Sequence, residues 1–417
     1  MKKTLMIAAV AVLGLVSCHK EDITIPAEDL IERKDFVLTR SQQEFVQANN
    51  GFALELFKRV SQSEKGQNLL ISPLSVTIDF GMVNNGAVGK TQQEIYETLG
   101  YKDGSVDGLN DFCRTMMEQS SAVDPSTTLE IANAGIINKM YPGLKDSFTK
   151  TVKSVYDAEV IYKDFSKEDI KSLVNNWCKE KTHGMIPELL TTPVQASEYA
   201  HFLNAVYFKG IWTNKFKKDD TKSEKFTRED GSTMTVKMMH QKDRFNLGGI
   251  GGLCSALSLP YGNQAYRMTF LLPYEGKTLA DLINALDADA WNSLKMAGFD
   301  VDVKIPSFET EFKITLKDIL QEMGIKRAFG VGGSPDFSAM TSAPIFISDV
   351  LHKAKIKVDE EGSEAAAVTD IIMVYGAANP GATPPTYVFH ADRPFLYVIT
   401  EVSTGAIYFI GQFTGKL

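Results

Sequence analysis

Apolar residues recur at helical spacing soon after residue 40: Phe45, Phe52, Leu54, Leu56 and Phe57 predict a helix from Ser41. A second helix is expected after Pro73, with Ser72 as its N-cap and the proline at the first helical position. From Tyr199 to Trp212 the pattern changes to a long, mostly apolar run, which predicts a largely buried strand. Residues 226–310 read as short strands and turns, and 311–329 as a return to helix. The C-terminus reads as three strands, Tyr387–Phe389, Phe395–Glu401 and Ala406–Phe413. With no internal repeat and no composition break after residue 40, the expected fold is one intertwined α+β domain over 41–417.

The first eighteen residues differ in kind. Lys2 and Lys3 precede an apolar run from Leu5 to Val16 that is too short to span a bilayer, so 1–17 read as an export signal. The run ends Leu15-Val16-Ser17-Cys18, which resembles the lipobox of bacterial lipoproteins and implies cleavage before Cys18 and lipidation there. An ordinary secretory signal with an incidental cysteine is the plain alternative. Lys20-Glu21-Asp22 is similar to the short signals that carry Bacteroidota lipoproteins to the cell surface. The polar stretch 18–40, with Pro26, reads as a tether between lipid and domain. The expected location is the outer membrane, facing outward, with the lipid as the only membrane contact.

Composition narrows the chemistry. The chain has 417 residues, 44% hydrophobic and 23% charged, ample for a large soluble core. A formal charge of −8 without a basic stripe argues against nucleic acid as a partner. Setting Cys18 aside leaves Cys113, Cys178 and Cys254. An odd number excludes a complete disulfide framework, and the spacings suit no metal site, so they are expected as small buried hydrophobes. There is no G-x-S-x-G, H-E-x-x-H, P-loop or Rossmann pattern. No catalytic residue, cofactor or metal is therefore expected, and Gly248-Gly249-Ile250-Gly251-Gly252 reads as a turn or bulge.

One segment is unusual for a compact domain. Glu360-Glu361-Gly362-Ser363-Glu364-Ala365-Ala366-Ala367-Val368-Thr369 leads into an irregular run from Asp370 to Thr386. At a period of two, Ser363, Ala365, Ala367, Thr369, Ile371 and Met373 share one uncharged face, while Glu364 and Asp370 fall on the other. Alanines make poor strands by propensity, but they suit a place where an existing sheet must open and admit a strand. Taken alone, the segment equally suits a disordered or helical Ala-rich loop.

The rest of the chain resembles the serpin family, inhibitory type, over residue 45 to the end. The resemblance is carried by Asn68-Leu-Leu-Ile-Ser72-Pro73-Leu-Ser75, Gly86–Thr91, Leu203–Trp212, Leu320–Phe329, Asp336-Phe337-Ser338, His352-Lys353-Ala354 and Ala391–Leu396, in that order. Among serpins it looks closest to surface lipoproteins of Bacteroidota. The resemblance implies three β-sheets with eight or nine helices and an exposed reactive-centre loop at about 360–386. It implies a hinge at Glu360, Gly362, Ser363, Ala365, Ala366, Ala367 and Thr369; a polar shutter of Ser72, Ser75, Asn204 and His352; and a breach at Trp212 and Glu360.

It also implies a suicide mechanism, in which a protease attacks the loop and the cleaved hinge enters the main sheet as a new strand. Counting from Gly362 places the attacked bond at Gly376–Ala377, with Tyr375 or Met373 as alternatives; counting back from Pro394 places it about seven residues later. The partners implied are serine proteases of elastase, chymotrypsin or subtilisin type, and as a second class papain-like cysteine proteases, met by a monomer. A non-inhibitory serpin acting as a binding module is the alternative.

Overall fold

The computed structural model describes residues 32–101, 105–363 and 385–416. Among them the α-helices are α1 (Arg40–Ser63), α2 (Pro73–Asn84), α3 (Gly89–Thr98), α4 (Val106–Ser120), α5 (Asp146–Tyr156), α6 (Ile170–Lys181), α7 (Leu279–Ala285), α8 (Ala288–Ser293) and α9 (Lys317–Met323). The strands are β1 (Leu69–Ile71), β2 (Thr128–Asn138), β3 (Glu159–Lys163), β4 (Ala200–Ile211), β5 (Lys222–Thr227), β6 (Thr233–Ile250), β7 (Cys254–Tyr261) and β8 (Tyr266–Pro273). They continue with β9 (Lys295–Pro306), β10 (Phe308–Thr315), β11 (Leu351–Val358), β12 (Gly362–Ser363), β13 (Tyr387–His390), β14 (Phe395–Glu401) and β15 (Ile407–Phe413).

The local signals explain where the first elements begin. Thr39 and Gln42 form a reciprocal capping box that starts α1. Ser72 Oγ accepts the N–H of Ser75 at 3.4 Å and Pro73 opens α2. Helix α2 is buried almost all round because it lies beneath β4 and against β15, α1 and α4. Within the expected tether, Phe36 is buried and its N–H reaches Ser403 Oγ at 3.0 Å, while Val37 N–H reaches Gln119 Oε1 at 2.8 Å.

Hydrogen bonding organises the strands into two sheets. Six strands run in the order β10-β11-β12-β4-β2-β3, and nine form β1-β15-β14-β8-β7-β6-β9-β13 with β5 paired to β6. The α+β architecture is thus as expected, but the described strands form two sheets where three were expected. The long pairing of β6 with β9, from Met238–Pro306 to Gly249–Lys295, carries one ladder from the layer of β13 to that of β14. Strands β14 and β15 are buried at every residue, so they read as near-unbroken apolar runs.

Two local expectations change. The stretch 311–329 is not all helix. Phe308, Thr310, Phe312 and Ile314 are buried and alternate with exposed Glu309, Glu311, Lys313 and Thr315, which makes β10 a strand of period two and leaves α9 only Lys317–Met323. Gly248 and Gly249 lie inside β6, and only Gly251 and Gly252 belong to the turn. Cys113, Cys178 and Cys254 are buried free thiols. No helix among the described residues is long and apolar enough to cross a membrane.

Candidate functional site

The six-stranded sheet has a seam. Between β4 and β11 lies only the two-residue β12, with Gly362 opposite Ile211, and Ser363 opposite Gly210 on one side and Val358 on the other. Below that point no ladder joins β4 to β11 among the described residues.

The top of the seam is tied by a cluster that brings Trp212, Glu360, Gly362 and Ser363 together. Trp212 donates its backbone N–H to Glu361 O at 2.9 Å and its indole N–H to Asp359 O at 2.9 Å. Thr221 Oγ1 donates to the Glu360 carboxylate at 2.7 Å, and Lys215 and Lys218 pair with Glu361 at 2.8 and 3.3 Å. The Lys215 ammonium holds the Glu361 carboxyl below its usual range.

Ser363 is 1% exposed and its hydroxyl lies 2.7 Å from Tyr261 OH. The Tyr261 ring stacks on Trp212, with centroids 4.4 Å apart. Gly362 has φ +154°, and a Cβ there would stand 2.1 Å from Gly210 O, so this position admits only glycine. Ala365, Ala366, Ala367, Thr369, Met373, Tyr375, Gly376 and Ala377 lie outside the described residues, as does Cys18.

Lower down, the polar residues form one chain beneath the seam. Ser72 N–H donates to His352 Nε2 at 3.1 Å, which joins α2 to β11. Ser75 Oγ donates to Asn204 Oδ1, Asn204 Nδ2 donates to Asn133 Oδ1 at 2.8 Å, and Asn133 Nδ2 donates to Tyr156 O at 2.7 Å. The chain therefore crosses from β11 through α2 to β4 and β2. A cavity of about 50 Å³ opens beside it, lined in part by Ser72, Ser75, Asp79, Asn204, His352 and Lys353.

Burial pushes the His352 imidazole down to about 4, in keeping with a neutral ring whose Nε2 accepts from Ser72. Burial pushes the Asp79 carboxyl up to about 7.

Sequence reasoning missed Tyr261, Lys215, Lys218, Thr221, Asn133 and Asp79. The first four are far from the hinge in sequence and meet it only through the β4–β5 connection and the end of β7. Among the described residues no group of three or more His, Cys, Asp or Glu is arranged to hold a metal ion.

The two buried titratable groups act on stability with opposite signs. His352 has a lower pKa folded than unfolded, so its contribution is lost as pH falls from about 6.5 towards 4, by at most about 3 kcal/mol. Asp79 has a raised pKa, so its contribution is lost as pH rises from about 4 to about 7. Urea midpoints of His352→Gln are therefore expected to fall from pH 4 to 7, and those of Asp79→Asn to rise from pH 4 to 6.5. Identical profiles in both variants would contradict this balance.

Residues 47–415 match the family described as "Serpin (serine protease inhibitor)". The chain belongs to the serpin family. This serpin is 33% identical to the leukocyte elastase inhibitor of Homo sapiens over 380 residues, covering 88% of this chain and 98% of that protein. It is similar to a crystal structure of maspin with TM-score 0.81 and 28% identity, covering 91% of this chain and all of that one. It also resembles thyroxine-binding globulin in complex with thyroxine, with TM-score 0.78 and 27% identity over 89% and 99% of the two chains. Its relatives include proteins named as protease inhibitors.

Proposed function

We propose that this serpin is a suicide inhibitor of serine proteases that traps the acyl-enzyme by drawing its cleaved loop into the seam between β4 and β11. The observation that carries the reading is the seat of Gly362–Ser363, where Ser363 of the hinge already pairs with both flanking strands and Gly362 with β4. Continuing those registers, six further residues would bring Thr369 opposite Asn204 on β4 and opposite His352 on β11, directly over the polar chain. About fifteen inserted residues at ~3.3 Å each would move a tethered protease ~50 Å.

Ladder bonds on both sides would contribute about 0.5–1.5 kcal/mol each, and buried aliphatic side chains about 1.5–3 kcal/mol each. Their sum rivals the ~5–15 kcal/mol that holds a protease folded. The bond attacked is Gly376–Ala377, with Tyr375 and Met373 as alternatives. The targets are of elastase, chymotrypsin or subtilisin type, with papain-like cysteine proteases as a second class. Lipidation at Cys18 would place the inhibitor on the outer membrane, as in surface lipoprotein serpins of Bacteroidota.

Incubation with such a panel, read on denaturing gels and by mass spectrometry of the cleaved loop, is expected to give an SDS-stable covalent complex. If every protease cuts the loop and leaves as active enzyme, the second reading stands. That reading is a non-inhibitory binding module, favoured by the likeness to thyroxine-binding globulin.

A further inference from the structure

The outward face of β10 and β11 carries a charge ladder whose pairing is displaced by one rung. Glu309 stands opposite Lys357, Glu311 opposite Lys355, and Lys313 opposite Lys353. The ion pairs run diagonally instead. Lys353 pairs with Glu311 at 2.7 Å, Lys355 with Glu309 at 2.8 Å, and Lys357 with Asp359 at 3.1 Å. The displacement leaves Lys313 at the end of the ladder. It faces another lysine, and its ammonium has no ion pair or hydrogen bond among the described residues. Like charges directly opposite one another in an antiparallel pair are destabilising.

A third lysine reaches the same place from α6. Lys171 Nζ donates to Thr191 O at 2.8 Å and lies 3.5 Å from Glu188 Oε1. The Lys353 side chain is only 10% exposed, and its Nζ donates to Glu188 O at 2.7 Å as well as to Glu311. Burial lowers the pKa of the Lys313 ammonium, and Lys353 and Lys171 push it the same way against the opposing pull of Glu188. The carboxylates do not balance the cluster, because Glu311 is shared with Lys355 at 3.4 Å.

The donors point to what is missing. An ammonium group has three N–H donors and no acceptor. Lys171 and Lys353 each keep one donor beyond the partners just named, and Lys313 keeps all three. A carboxylate has too few oxygens to satisfy them from three directions. A phosphate group brings three acceptor oxygens and a charge close to −2. The chain as a whole has a formal charge of −8, so this is a local concentration of positive charge and not part of a basic surface.

We propose that Lys171, Lys313 and Lys353 form a binding site for a phosphate group, held between α6 and the β10–β11 pair. The bound group cancels the Lys313–Lys353 repulsion and ties α6 and the backbone at Glu188 and Thr191 to the edge of the six-stranded sheet. It therefore stabilises the folded chain by mass action.

The test is thermal unfolding of the full chain in phosphate and in chloride, at equal ionic strength and pH. Phosphate stabilises proteins in general through its exclusion from their surfaces, so the informative quantity is the difference between the unmodified chain and its variants. Lys313→Gln is expected to unfold no earlier than the unmodified chain in chloride, because it removes a like-charge pair, and to lose most of the extra stabilisation by phosphate. Lys355→Gln, one rung along the ladder, is expected to keep it. Glycerol phosphate separates the sources. A shift equal to that of the free ion identifies a site open to phosphate monoesters, and a shift with the free ion alone identifies inorganic phosphate as the occupant.

A second readout uses the unmodified chain. The aldehyde of pyridoxal phosphate condenses with a lysine amine with loss of water, and borohydride then adds hydride to the imine and fixes the label. Mass spectrometry is expected to find Lys313 labelled first, with the label lost when inorganic phosphate competes. An equal phosphate shift in the unmodified chain and Lys313→Gln would overturn the site, as would labelling spread evenly over the surface lysines.

Discussion

Ser363→Arg is expected to turn the inhibitor into a substrate. The Ser363 side chain is sealed between β4 and β11, with Gly210 beside it and the Tyr261 hydroxyl as its partner. An arginine would have to bury a guanidinium there without a carboxylate, or withdraw from the sheet and take the hinge with it. Either way the first step of insertion is slowed while hydrolysis of the acyl-enzyme proceeds. Each 1.4 kcal/mol on that step is about tenfold in partition, so a penalty of a few kcal/mol predicts a rise in stoichiometry of inhibition of roughly a hundredfold. Ser363→Ala loses only one hydrogen bond, worth ~1 kcal/mol, and should keep most of the inhibition. Unchanged stoichiometry in Ser363→Arg would show that insertion does not start at this register.

Trypsin-like proteases are expected to escape the trap. From Asp359 to Asp392 the chain has neither Lys nor Arg, so no cut in the loop can fill a pocket built around a buried carboxylate. Leaving that carboxylate unpaired costs several kcal/mol of transition-state binding, which predicts association at least ~10³-fold slower than with elastase or chymotrypsin. Tyr375, Met373, Gly376 and Ala377 instead suit apolar or small pockets. Stopped-flow association rates measure the ratio. Rapid stoichiometric trapping of trypsin, with the cut mapped between residues 370 and 386, would refute the specificity argument and leave the fold as it is.

How far the sequence could be read depended on whether the signal was local. Ser72 and Pro73 announce α2 because capping and a fixed φ act within one turn, and β14 and β15 announce themselves because burial on both faces forbids polar alternation. Strand β10 was misread because Lys317–Met323 is a real helix directly after it, and a window spanning both averages two periods. At the seam, Gly362, Ser363 and Trp212 are visible in a motif. Tyr261, Lys215 and Lys218 are common residue types in ordinary surroundings, and only the fold brings them within 2.7–3.3 Å of the hinge residues. Asp79 gave no signal because an acid in an apolar helix usually faces water, and its burial is a property of the sheet above it.

The central place of β14 in the nine-stranded sheet has a consequence for what a protease leaves behind. A cut between residues 364 and 384 divides the polypeptide, yet the smaller piece is β13, β14 and β15, paired to β9, β8 and β1. His390 on β13 and His240 on β6 both lie 3.0 Å from Asp302 Oδ1, which adds a polar clasp at the outer edge. The nicked molecule is thus a two-chain assembly with no covalent link between its parts. It should migrate as one particle until denatured, and the two polypeptides, made separately, are candidates for reconstitution as a split protein.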